Sequence, residues 1–196
     1  MKSTFTFLKL LEMASFGLLM KKVFKRKNFE LLRKIGREAK NNNLSAYLVG
    51  GPVRALLLGL YEKGKDLDIV VSGEMVTTKN AAINLAKKIV KSAHFSVKQL
   101  KVHKHFGTAT IFFPGFGVDF AFARKEKYLH PGVLPEVTPG NIETDLYRRD
   151  FTVNSLAIDL SPNRFGELVD PTGGKNDLRR KLLRVLHERS FVDDPT

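Results

Sequence analysis

Apolar residues recur along this chain at two spacings, and the changes from one to the other divide it into elements. Phe24, Leu31, Leu32 and Ile35 are set three, four and seven residues apart, with Lys and Arg between them. That period predicts a basic amphipathic helix over about residues 20–42, ended by the run NNN. AYLVG reads as a short buried strand. GGPVRALLLGL reads as a helix, with Pro52 suited to its first turn and Leu56, Leu57 and Leu60 giving it a core face. DLDIVVS is β-branched and predicts a strand. Residues 78–93 predict another amphipathic helix, with Ile83, Ala86, Ile89 and Val90 on its inner side. FSVKQLKV, FGTATIFF and GVDFAFA follow as three strands, and FPGFG turns the chain between the last two.

Turn residues punctuate what comes next. YLHPGVLPEVTPGN is a Pro/Gly-rich connection, and IETDLYRRDFTVNSLAIDL predicts helix, turn, short helix and strand. SPNRFGELVDP reads as a hairpin and GGKNDLRRKLLRVL as a short basic helical region. There is no internal repeat and no low-complexity tract. Strands interleaved with flanking helices predict an α+β domain, one sheet with helices packed against it.

The apolar N-terminus, MKSTFTFLKLLEMASFGLLM, is interrupted by Lys9 and Glu12, so no run reaches the ~18 apolar residues of a membrane span. It has an acid and lacks a small-residue cleavage site, which argues against a signal peptide. Met20 stands before a natural-looking start, so residues 1–19 are expected to be an extension or a start-site artefact. The expected organisation is one domain over 20–160, then a hairpin and the start of a helical region over 161–196.

Charge narrows the range of partners. The 196 residues carry a formal net charge of +13, with a pI near 10.0, which points to an anionic partner, nucleic acid before membrane. There is no cysteine, which excludes disulfides, thiolate zinc sites and thiol catalysis and fits a cytoplasmic location. The five histidines, His94, His103, His105, His130 and His187, show no metal-binding helix spacing.

In such a basic chain, the acids inside an apolar run stand out. Side chains two apart on a strand share a face, so Asp66 and Asp68 are expected to project together while Leu67 and Ile69 point into the core. Adjacent carboxylates repel, and one is pushed towards protonation. A divalent cation removes that penalty, and hard oxygen ligands suit Mg2+, which also binds phosphates. Asp119, between Val118 and Phe120, supplies a third acid if its strand pairs beside 67–71. Three carboxylates over two metals is an arrangement for in-line phosphoryl transfer. Gly50 and Gly51 lie between a strand and a helix N-terminus, where free N–H groups attract anions, and Arg54 adds a charged donor one turn on. Each motif alone is common; the weight lies in their order.

The segments LVGGPVRALLLG…KDLDIVV, HFGTATIFF…VDFAFARKEKY, LYRRDFTVNSLAIDL and LVDPTGGKNDLRRKLLRVLHERSFVDDPT resemble the class II tRNA nucleotidyltransferases, the CCA-adding enzymes, and their poly(A) polymerase relatives. The resemblance runs from about Ala46 to Thr196. It implies a nucleotidyltransferase head of the DNA polymerase β superfamily type, followed by the start of a helical neck. It places metal ligands at Asp66 and Asp68 and the third catalytic carboxylate at Asp119. Gly50, Gly51 and Arg54 match the triphosphate-binding segment. Arg148, Arg149, Asp150 and Asn154 match the motif that contacts the nucleotide's sugar and phosphates; two guanidiniums suit phosphate oxygens, and Asp and Asn suit ribose hydroxyls. Asp193 and Asp194 match the start of the base-reading element. Gly173 and Gly174 match a flexible joint, where Asp177 is a candidate acid.

Two departures qualify what the resemblance implies. Ala55 stands where the family usually has Asp, which orients the neighbouring arginine from the helix N-terminus. The arginine that completes the base-reading element lies beyond Thr196 in the family, with the rest of the neck, body and tail. The implied activity is template-independent transfer from CTP or ATP to an RNA 3′ end, with tRNA CCA addition foremost and Mg2+ as cofactor. Poly(A) synthesis is the alternative within the family. A truncated head that binds nucleotide or RNA without catalysis is the alternative outside it. The expected partners are a tRNA or other RNA 3′ end, ATP and CTP, and no membrane.

Overall fold

The computed structural model describes residues 16–61, 65–73, 80–92, 95–127 and 135–186. The chain order is α1 (Phe16–Val23), α2 (Arg26–Lys40), β1 (Ser45–Val49), α3 (Gly51–Leu58), β2 (Leu67–Ser72), α4 (Ala81–Ser92), β3 (Gln99–His103), β4 (Thr108–Phe113), β5 (Phe116–Phe122), β6 (Arg124–Lys127), β7 (Glu136–Pro139), α5 (Ile142–Tyr147), a 3-10 turn (Thr152–Asn154), β8 (Ala157–Asp159), β9 (Leu168–Val169) and α6 (Gly174–Arg180). Seven strands form one mixed sheet in the order β3-β4-β5-β2-β1-β8-β9. β2 and β5 are parallel; the other neighbours in this sheet are antiparallel.

Alternation along the central strands sorts the sheet's two faces. Leu67, Ile69 and Val71 of β2, with Val118, Phe120 and Phe122 of β5, point to one side and are buried. There they meet α2 and α4 through Leu31, Leu32, Ile35, Ile83, Leu85 and Ile89, forming the main core. The parallel pair requires a crossover, and α4 lies in it and covers that face. On the other side, Tyr47, Val49, Val70, Ala157 and Leu146 form a smaller cluster under α5. The remaining positions of that second face stay open beside α5, and the chemistry gathers there.

The mixed α+β sheet agrees with the sequence reading; of the hairpin read in SPNRFGELVDP only Leu168–Val169 form a strand, β9, which pairs with β8 ahead of that segment. Two features differ. The single helix expected over 20–42 is two helices, broken at Phe24 and Lys25. Lys25 is extended (φ −58°, ψ 146°), and the Phe24 ring turns into the core, its centroid 4.5 Å from that of Tyr61. Met20 itself lies within α1, where it and Leu19 are buried; residues 1–15 lie outside the described residues. The Pro/Gly-rich connection is not wholly irregular either. Its residues Glu136–Pro139 form β7, antiparallel to β6 in a separate two-stranded ribbon.

α2 reaches the end of β8 through a contact that tolerates no side chain. A Cβ on Gly36 would stand 1.7 Å from the Leu160 carbonyl oxygen. Helix propensity favours Ala over Gly by ~1 kcal/mol, whereas overpacking against backbone costs ~3 kcal/mol. Gly36→Ala is therefore expected to lower the thermal unfolding midpoint, measured by circular dichroism. A midpoint raised by the substitution would show that helix propensity outweighs the contact.

Candidate active site

The turn from β1 into α3 begins the site. Gly50 has φ 67°, a left-handed conformation that suits glycine. Its missing side chain also leaves space, because a Cβ there would lie 3.3 Å from Arg149 Nη1 and 3.7 Å from Asp68 Oδ2. Gly51 meets nothing within 4 Å of its Cβ position, so the start of α3 is open. Pro52 has no N–H to leave unsatisfied in that first turn. One turn on, the Arg54 guanidinium donates to Asn154 Oδ1, and Arg149 Nη1 reaches the Asn154 carbonyl at 3.5 Å. The glycine turn, two arginines and Asn154 thus meet although 100 positions separate Arg54 from Asn154.

The carboxylates face them. Parallel pairing sets Asp68 directly beside Asp119, and both side chains leave the core face because their neighbours Leu67, Ile69, Val118 and Phe120 occupy it. Burial raises the Asp68 carboxyl above the ordinary aspartate value; the charges of Asp119 and Asp66 raise it further, while Arg149 opposes them. Asp119 accepts from the Thr110 hydroxyl on the adjoining strand. Asp66 stands one residue ahead of β2, and its Oδ1 accepts from Gly117 N at 2.5 Å.

Among the described residues, no three acids or histidines converge closely enough to enclose an ion. The donor chemistry nonetheless fits a hard divalent cation. Asp68 and Asp119 are oxygen donors held side by side, Asp66 is near enough to act on Asp68, and the missing Gly50 Cβ leaves room beside Asp68 Oδ2.

A cleft of about 1100 Å3 contains Gly50, Gly51, Arg54, Asp68, Arg148, Arg149, Asp150 and Asn154. Asp66 and Asp119 flank Asp68, and Asp193 and Asp194 lie outside the described residues. The acid expected to orient Arg54 from position 55 is Ala55, and Asn154 holds the guanidinium instead. Asp177 is buried between the Thr152 hydroxyl at 2.7 Å and Arg184 Nη2 at 3.2 Å, so it ties α6 to the 3-10 turn.

Sequence reasoning missed the residue that holds the arginines. Asp145 is fully buried on α5 and pairs with Arg148 Nη2 at 3.0 Å and Arg149 Nη2 at 3.1 Å. Glu126 of β6 joins Arg148 to Arg124, at 2.9 and 2.8 Å. The signal was the spacing of Asp145 to Arg148 and Arg149, three and four residues, which brings helical side chains together. Arg149 Nε is buried and, among the described residues, has no hydrogen-bond partner. His105 and Phe106, from the turn between β3 and β4, also line the cleft.

Comparison with known proteins places this geometry in a family. The model of the poly A polymerase head domain matches residues 46–184. An A-adding tRNA nucleotidyltransferase of Geobacter sulfurreducens is 42% identical over 91% of this chain and 19% of its own length. A CC-adding tRNA nucleotidyltransferase of Deinococcus radiodurans is 41% identical over 75% of this chain and 36% of its own. A solved CCA-adding enzyme in an apo form superposes with a TM-score of 0.80 at 38% identity, covering 93% of this chain and 40% of that one. The Thermotoga maritima CCA-adding enzyme complexed with tRNA superposes at 0.73 with 36% identity, over 93% and 38%. The chain therefore spans well under half the length of these proteins, and the stretch it shares with them is the one that builds the cleft. The chain belongs to the poly A polymerase head-domain family.

Proposed function

We propose that this chain is the catalytic head of a tRNA nucleotidyltransferase and transfers nucleotidyl groups from ATP or CTP to a tRNA 3′ end. The observation that carries the reading is the meeting, in one cleft, of an open helix N-terminus, Arg54, Arg149 and Asp68, which strand pairing sets beside Asp119. In the reaction, the RNA 3′-hydroxyl oxygen forms a bond to the α-phosphorus, the bond to the β-phosphate oxygen breaks, pyrophosphate leaves and the hydroxyl proton is lost. Gly50, Gly51 and Arg54 bind the triphosphate through N–H groups and a guanidinium. Asn154 and Asp145 fix the two arginines in advance, so little ordering remains when substrate enters. Asp66, Asp68 and Asp119 would hold Mg2+, which supplies charge neutralisation and hydroxyl activation when bound. Solved relatives in complex with ATP, CTP and tRNA support the substrate classes. Among the described residues no helix is long and apolar enough to cross a membrane.

The test is incorporation of labelled ATP and CTP into a tRNA lacking its 3′ CCA. The expected result is Mg2+-dependent extension that chelation stops and that Asp66→Ala/Asp68→Ala lowers at least ~100-fold. Extension that survives the double substitution would remove the carboxylates from the mechanism. RNA binding with no extension would make the chain a binding head.

Asp68 gives a pH signature in metal-free buffer. Its raised pKa means that the folded state holds the proton to a higher pH than the unfolded state does. Stability is therefore lost as pH rises through the carboxylate range from the ordinary value towards the raised one. Asp68→Asn is expected to raise the unfolding midpoint with chelator at pH 7 and to change it little at pH 3. Equal gains at both values would show that ionisation of Asp68 is not the cause.

Asp145→Ala strands two arginines beside a buried position and is expected to cost about 3 kcal/mol or more in urea unfolding. A loss below ~1 kcal/mol would show that the network is water-like in strength.

A further inference from the structure

The sheet order separates two sides of the cleft. The glycine turn follows β1, the carboxylates stand on β2 and β5, and the turn holding His105 and Phe106 joins β3 to β4. In the order β3-β4-β5-β2-β1 the carboxylates lie between the glycine turn and that hairpin tip. In-line displacement puts the attacking oxygen and the leaving pyrophosphate on opposite sides of the α-phosphorus. With the triphosphate at the glycine turn, the RNA end has to approach from the β3–β4 side.

The surface on that side has the character such a strand needs. Asp68, Asp119, Thr110 and Lys101 are successive cross-strand partners, so their side chains form one row on the open face and end in an exposed lysine. Leu100 and Val102, the neighbours of Lys101, pack against the main core on the opposite face. At the hairpin tip Phe106 is 59% exposed, although it lines a polar cleft. The His105 ring stands nearly perpendicular to it, with centroids 5.0 Å apart and planes at 83°, so the pair takes up at most one face of the Phe106 ring. An exposed aromatic without a core role, on the same hairpin as a lysine that ends the row leading from the reacting groups, matches the way single strands are held, by stacking and phosphate contact.

We infer that the β3–β4 hairpin is the seat of the RNA strand: the ring of Phe106 stacks on a base at the 3′ end, His105 braces the ring, and Lys101 contacts a backbone phosphate. This rests on the nucleotidyl-transfer reading, because that reading decides which side of the carboxylates the RNA occupies. Stacking is indifferent to base identity, so the platform serves whichever nucleotide is last on the strand.

The test uses the whole chain and a short single-stranded RNA with 2-aminopurine as its last base, whose fluorescence is quenched by stacking. Wild type is expected to bind with quenching. Phe106→Ala is expected to lose the quenching and about tenfold in RNA affinity, with ATP binding unchanged by equilibrium dialysis. Phe106→Tyr should restore both. Lys101→Ala should weaken binding and reduce the slope of log affinity against log salt by about 1 while leaving quenching intact. Unaltered quenching in Phe106→Ala overturns the proposal, as does loss of ATP binding in its place, which would assign the ring to the incoming base. Failure of wild type to bind the RNA overturns it too. If wild type extends RNA and Phe106→Ala does so with the same KM for RNA, this inference falls and the transfer reading stands. If wild type never extends RNA yet the quenching depends on Phe106, the platform stands and the transfer reading falls.

Discussion

Parallel pairing of β2 with β5 holds two carboxylates side by side where both would otherwise avoid each other. A sheet with antiparallel neighbours elsewhere accepts this one parallel pair because α4 crosses over the back and is buried there. The hydrophobic set Leu67, Ile69, Val118 and Phe120 fixes the register, since a slip of one residue would turn the acids into the core. Burial that stabilises the sheet therefore enforces the repulsion between Asp68 and Asp119. The fold spends stability at one point to hold these two acids together, and burial first, with the Asp119 charge second, raises the Asp68 carboxyl.

The opposite charge is managed differently. Arg148 and Arg149 are anchored from behind by Asp145, which lies at the base of the site with no exposure. Glu126 adds a second anchor from the β6–β7 ribbon. Arg54 has no acid beside it in sequence and is aligned by a neutral amide, Asn154. An amide oxygen orients a guanidinium without cancelling its charge, which leaves more of that charge for a phosphate.

Much of this was legible in the chain. The period-two alternation in LDIVV and VDFAF identified the strands and the acids that leave their core faces, and the glycines before Pro52 identified an open helix start. Other features were not legible, for physical reasons. Whether β5 lies beside β2 is a tertiary matter that neither strand's own pattern states. Asp145 has the same spacing to its arginines as any surface ion pair, and only packing under α5 makes it a buried anchor. β6 reads RKEK, with no apolar face, and its partner β7 ends in a proline, so the ribbon gives no hydrophobic signal. The break between α1 and α2 has neither Gly nor Pro to mark it; the demand of the Phe24 ring for the core decides it.

The bond from Arg54 to Asn154 also has a consequence for the order in which the site comes into being. A chain emerging from synthesis presents the glycine turn first and the carboxylates soon after, but Arg149 and Asn154 come much later. The turn that carries Asn154 is itself held by segments later still: Thr152 N donates to the Arg184 carbonyl at 3.0 Å, and Phe151 bridges to Val185. Until residues near 185 have docked, the molecule has an acidic pair and an unaligned arginine. Alignment of Arg54 by Asn154 is thus tied to the docking of a segment about 130 positions later in the chain.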